Sequence, residues 1–491
     1  MPDSPLPPRP DRRERLALAA ILLLALALRV PGLNSGLWYD EISTLIKYVR
    51  LPTGTLLTTY DSLNNHMFFS LQAQAASALF GEAPWSLRLP AMLFGVASVW
   101  ALWRLAREVV SPTQALLAAL LMTVSYHHVW FSQNARGYTG LLFFGLIASL
   151  ALLRGTRTNS WGAWVAYGLC FAAAMFTHLS AAFLFFGQGL AYLAVLVGRV
   201  LRGRGLSIAE VLRPLAGIGL GAVIVLLLYL PVLGQMSDTF AGVQSGPDDA
   251  LRADSIAEWK SPLWTLAEML RGLGPVLGLA TPVILLVLAV AGIALWSRAA
   301  ILPLSLIAHL GGTLGLLVLL GFRVWPRYFL VDLGLICLFL IHGAFRIGAA
   351  VGPRVGLTEH RSGVILAGFG IAASLVLLPT NYRYPKQDFP AAVAYVDAHR
   401  QDGAKVLALG LSALPFSFYA PDWTPVETLT EFEAAFDPAQ ETWLVYTFPK
   451  VLKRRHADIL SAPGTEFVEE HYFHGTLVDG GIVVLRHPGH P

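Results

Sequence analysis

The chain has 491 residues, 55% of them hydrophobic and only 13% charged, with a formal net charge of +4 and a mean hydropathy of +0.59. Soluble domains carry about twice that charged fraction, so a soluble globular enzyme is excluded; the net charge is small, its distribution matters more than its sum, and no nucleic-acid partner is expected. Cys170 and Cys337 both lie in apolar runs, which leaves neither a disulfide framework nor a cysteine metal site.

Runs of about 17–22 apolar residues recur along the chain, long enough to cross about 30 Å of hydrocarbon as helices. In chain order the expected spans are 16–31, 86–103, 113–130, 138–153, 161–177, 179–198, 214–234, 274–297, 300–321, 328–345 and 362–379, eleven in all. Arg12, Arg13 and Arg15 before the first run resemble the basic region of a signal peptide. A second signature runs directly out of that segment, so it is read as a retained span. With the N-terminus cytoplasmic, the inside loops collect about sixteen arginines and the outside loops about eight, as the positive-inside rule demands. An odd number of spans then places the C-terminal segment in the periplasm or its extracellular equivalent, and the protein in the plasma (inner) membrane.

That last segment changes character. "KVLALG", "TWLVYTF" and "GIVVLR" read as short strands, and "DFPAAVAYVDAHR" as an amphipathic helix. The expected architecture is therefore an all-α polytopic membrane domain, residues 1–380, followed by a small extracytoplasmic α/β domain, residues 381–491. No glycine-rich phosphate loop occurs in the tail, and the inner loops are too short for a nucleotide-sugar site.

The strong polar groups of the membrane half gather on the outer side. The first outer loop, 32–85, holds Asp40 and Glu41 in "LWYDEISTL" and His66 in "NNHMFFSLQ". His127, His128, Gln133 and Arg136 fall in "SYHHVWFSQNARGY", His178 ends the fifth span, Arg323 and Arg327 sit in "GFRVWPRYFL", and Lys386 follows in "YPKQDF". Each has a plainer reading. Outer arginines bind lipid phosphates, His127, His128 and His178 suit interfacial positions, His309 and His342 suit the bundle core, and Asp61 suits a solvated loop. Asp40 reads equally as the cap of a short helix. A loop as long as 32–85 is usually functional, however. Its amphipathic stretches, 41–50 and 66–80, would lie in the interface plane as the floor of a cavity at headgroup level. A carboxylate beside several cations there can take a proton from an attacking hydroxyl or amine, while arginines neutralise a leaving lipid phosphate.

The order of these parts resembles the GT-C membrane glycosyltransferases, specifically the protein O-mannosyltransferase and aminoarabinose (lipid A) transferase group (glycosyltransferase family 39-like). The resemblance rests on "LWYDEISTL", "NNHMFFSLQ", "LRLPAMLFG", "FSQNARGYTGLLFF", "RYFLVDLG" and "YPKQDFPAAVAYV", across roughly residues 15–400. It implies inverting transfer of a sugar from a polyprenyl-phosphate donor to an acceptor on the outer face. By it, Asp40 is the catalytic carboxylate and Glu41 its support; the two would also hold a divalent cation if the reaction uses one, the only cofactor in view. Arg136, Arg327 and Lys386 are the donor-phosphate ligands, and Tyr39, His66, Gln133, Tyr138 and Arg323 are substrate-binding candidates. The stretch 65–68, "NHMF", lacks the prolines usual in relatives, which leaves the role of His66 open. The acceptor is not specified by these motifs. Two other classes remain. A transporter or lipid-linked sugar flippase would place ionisable pairs at mid-membrane, and His309 and Asp332 form no matching pair in the sequence. A non-catalytic assembly protein would not need Asp40.

Overall fold

The computed structural model describes residues 8–62, 64–245, 274–320, 326–462, 465–477 and 479–489. Each of the eleven expected apolar segments is largely helical over its described residues. Among the described residues, seven helices are long and apolar enough to cross a membrane. An eighth crossing results if Pro112–Thr123 and Tyr126–Ser132, bent by 61° at their junction, form one broken span. The count of eleven is therefore not confirmed, for physical reasons. Helix Arg12–Arg29 carries Arg12, Arg13, Glu14, Arg15 and Arg29 within 18 residues. Trp161–Thr177 and Ile301–Leu317 are short; 17 residues at 1.5 Å each reach only about 26 Å. The protein is a multi-span membrane protein.

The chain forms two compact units: one from 1–30, 57–72 and 89–377, the other from 31–56, 73–88 and 378–491. Among its described residues the first holds helices joined by turns and loops, with no strand. Ser111 opens Pro112–Thr123 by accepting the Gln114 N–H at 3.4 Å, with Pro112 at the first helical position. Asn159 ends Tyr138–Thr158 in the left-handed region, at φ 47°, and its Oδ1 accepts from Trp164 Nε1 at 2.9 Å in the next helix. The bend after Thr123 frees carbonyls in an apolar setting, where each must be met from within the protein. Arg29 Nη1 reaches Thr123 O at 3.5 Å, His128 Nδ1 lies 3.1 Å from Met122 O and Ser374 Oγ donates to Val124 O at 3.1 Å. Close helix packing depends on small residues: a β-carbon at Gly187 would lie 2.6 Å from His309 Cα.

The second unit is built on a five-stranded sheet of order β2-β1-β3-β5-β4, comprising β1 (Lys405–Leu409), β2 (Thr424–Val426), β3 (Thr442–Thr447), β4 (Val468–Phe473) and β5 (Ile482–His487). β1 runs parallel to β2 and β3, and β5 antiparallel to β3 and β4. β1 and β3 are almost wholly buried, which is why they read as continuous apolar runs. Helix Phe389–His399, capped by Asp388 on the Ala391 N–H at 3.2 Å, precedes the sheet.

Candidate functional site

In the second unit the residues around Asp40 are fixed by their neighbours. Helix Tyr39–Thr44 begins after Trp38, and the Glu41 carboxylate accepts the Trp38 N–H at 3.3 Å. The cap expected of Asp40 is thus carried by Glu41, the third helical residue, as in a capping box. Glu41 also receives Arg88 through both oxygens, Nε to Oε1 at 2.8 Å and Nη2 to Oε2 at 2.6 Å, with both side chains fully buried. The same guanidinium donates to Leu33 O and Ser35 O at 2.8 Å and to Gly36 O at 2.9 Å. One arginine therefore closes the loop into Trp38 and neutralises the buried acid. As a metal ligand Glu41 would have to give up that pair, and no group of three His, Cys, Asp or Glu suited to a metal occurs among the described residues. Asp40 itself is half-buried at the second position of the helix, its carbonyl accepting from Thr44 Oγ1 at 2.8 Å.

Three side chains from the sheet region tie this loop down. Gln387 Oε1 accepts the Tyr39 N–H at 3.0 Å while its Nε2 donates to Thr447 Oγ1 on β3 at 2.7 Å. The Tyr419 hydroxyl accepts from Leu37 N at 2.6 Å and donates to Leu37 O at 3.1 Å. The Tyr39 ring meets Phe448 edge-on, centroids 6.0 Å apart. Lys386 is buried beside this assembly. Desolvation and the Arg88 charge pull its pKa down to about 7, against the attraction of Glu41.

The first unit holds a separate cationic cluster. Arg136, 1% exposed, points Nη2 at Asn64 Oδ1 and at His66 Nε2, 3.0 Å away. Gly137 N–H donates to His66 Nδ1 at 2.9 Å. A neutral imidazole offers one lone pair, so the two donors compete for it. The His66 ring packs against His178, centroids 4.3 Å apart, and edge-on to Tyr138 at 5.3 Å. Burial, then the charges of Arg136 and Arg327, hold His178 down to about 3; burial, Arg136, His178 and Arg327 hold His66 well below its usual value. Both rings are neutral in a positive field. Arg327 lies half-buried in the 3₁₀ turn Pro326–Asp332.

The remaining residues fare differently. Gln133 is buried and its amide donates to Arg29 O at 3.0 Å, a bond that braces the bend. Tyr138 is a buried ring wall. Arg323 lies outside the described residues. His309 and Asp332, read as unpaired, are in fact joined, Nδ1 to Oδ2 at 2.8 Å with both side chains 1% exposed; their 23-residue separation hides a contact between helix Ile301–Leu320 and the end of the 3₁₀ turn. Reasoning from the sequence passed over Arg88, Asn64, Gln387 and Tyr419. Arg88 had a signal, an arginine at the head of an apolar run in "LRLPAMLFG"; the others depend on contacts across the fold.

Residues 67–234 match the family described as dolichyl-phosphate-mannose-protein mannosyltransferase, a stretch that includes Arg136, Tyr138 and His178. No curated protein matches the sequence. Among solved structures the chain is similar to ArnT from Cupriavidus metallidurans bound to undecaprenyl phosphate, with a TM-score of 0.52 at 14% identity over 97% of this chain and 99% of that one. It is also similar to the Archaeoglobus fulgidus oligosaccharyltransferase in complex with Zn and sulfate, with a TM-score of 0.55 at 12% identity over 95% of this chain and 72% of that one. The chain shares the fold of these two proteins.

Proposed function

We propose that this chain is a membrane glycosyltransferase that takes a sugar from a polyprenyl-phosphate donor and passes it, with inversion, to an acceptor on the outer face. The family match over the stretch that carries Arg136, Tyr138 and His178 is the observation on which this reading rests; likeness of fold to an undecaprenyl-phosphate-bound transferase supports it. In the proposed reaction Asp40 removes the proton from the acceptor hydroxyl or amine, whose lone pair forms the new bond to the sugar's anomeric carbon. The anomeric carbon–oxygen bond breaks, and polyprenyl phosphate leaves with the electron pair. Arg136 and Arg327 neutralise that phosphate, and Lys386 is a third ligand for it. An anionic oxygen beside Arg136 would also end the competition for the single lone pair of His66. Glu41 supports Asp40 by holding the helix start in place.

We read residues 381–491 as the extracytoplasmic domain, the N-terminus as cytoplasmic, and the acceptor as a lipid, glycan or protein. The test is release of free polyprenyl phosphate from a panel of polyprenyl-phosphate sugars by the purified protein in lipid. Asp40→Asn should lower turnover by roughly 10²–10⁴-fold with donor binding retained, the usual weight of general-base catalysis. Equal turnover in the variant removes Asp40 as the base. If wild-type protein binds no donor at all, the transferase reading fails. The buried His309–Asp332 pair then favours the transporter or flippase reading, since paired ionisable groups inside a bundle mark ion pathways.

A further inference from the structure

Helix Tyr138–Thr158 has 21 residues and so is about 30 Å long. The His66–Arg136 cluster stands at its start. At its far end the first unit has an open cavity of about 780 Å³, within the range of small-ligand sites. Arg107, Arg157, Arg298 and Arg346 line it, from the ends of four different helices, together with His342 and His360. Two acids, Glu108 and Glu359, line it against these four arginines. Glu108 is shared by Arg104, Arg154 and Arg157 at 2.9, 2.7 and 3.6 Å, and Glu14 is taken by Arg107 at 2.7 Å. Among the described residues Arg298 and Arg346 make no ion pair or side-chain hydrogen bond, and both are exposed. Arginines that only set topology need to lie on one side of the membrane; they need not converge on a single cavity.

We propose that this cavity is a binding site for a phosphate-bearing anion, with Arg298 and Arg346 as its principal ligands and Arg157 completing the cationic wall. Guanidinium groups from separate helices give the forked, charge-assisted bonds that phosphate oxygens accept. The cavity lies at the end of apolar helices, where phospholipid headgroups are found, and basic pockets between spans hold such headgroups in other membrane proteins. A bound phosphate would cross-link helix Gly274–Ala299 to helix Leu333–Val351, so occupancy raises the resistance of the bundle to heat.

The full chain in zwitterionic detergent is titrated with short-chain phosphatidylglycerol, with phosphatidylcholine of the same chain length, or with inorganic phosphate against chloride at equal ionic strength, and thermal unfolding is followed. The double variant Arg298→Gln/Arg346→Gln should weaken the protective midpoint by roughly tenfold or more, from loss of bonds to a charged group. Arg354→Gln, an exposed arginine outside the cavity, should leave it unchanged. Protection by phosphatidylglycerol alone assigns the anion to a lipid; protection by inorganic phosphate assigns it to a soluble source. No protection by either overturns the site. So does equal protection of the double variant, or an equal loss in Arg354→Gln.

Discussion

At the scale of single residues, the adjacent acids of the first loop have opposite surroundings. Glu41 is fully buried against Arg88, whereas Asp40 is half-buried at a helix start. Removing one partner of a buried pair leaves an uncompensated charge, at about 3–5 kcal/mol. Glu41→Gln and Arg88→Met should each lower stability by that order in thermal unfolding, and the double variant should lose less than the sum. Nothing in "YDE" says which acid is spent on structure; the answer depends on a guanidinium 47 positions away. Lys386 yields a pH prediction. Its pKa lies near 7, so it is charged below that value and neutral above it. If it meets the donor phosphate, kcat/KM for the donor falls as pH rises from 6 to 8. Lys386→Arg should abolish that limb with activity retained, and Lys386→Met should give lower, flat activity. The sign for stability runs the other way. The unfolded group has the ordinary value of 10.5, so burial costs stability below pH 10.5, and that cost levels off below about 7.

At the scale of elements, hydrophobic period and turn residues marked the helices and three of the five strands. β2 is three residues long and β4 is largely exposed, so neither carries the apolar run that exposes a buried strand in sequence. The bend at Thr123 was equally hidden, because its freed carbonyls are met by Arg29, His128 and Ser374, residues with no common pattern. Gln387 joins the loop at Tyr39 to β3 by two short bonds. Gln387→Ala should speed amide hydrogen exchange over residues 37–44 and lower kcat more than it raises KM, while the sheet stays protected. The His309–Asp332 pair anchors the turn that carries Arg327. Asp332→Ala should weaken donor binding through misplaced Arg327, whereas Asp332→Asn, which can still accept from the ring, should largely restore it. Equal donor affinity in both variants would mean that the pair does not position Arg327.

At the scale of the whole molecule, composition alone established a multi-span protein, and the sequence order of polar motifs indicated the fold. The number of crossings was less legible, because charge at one end of Arg12–Arg29 and short apolar lengths elsewhere blur the line between a span and a buried helix. The gathering of arginines at the far helix ends was visible as a topology signal, but their convergence on one cavity was not, since helix packing decides it. The docking of the first loop on the sheet carries a consequence in time. Tyr39 and Gln387 are 348 positions apart. At roughly 5–20 residues per second of translation, the loop waits roughly 20–70 s for its partner to emerge. Nascent chains released before β3 would hold Asp40 on an undocked loop and, on the role proposed for Asp40, would be inactive.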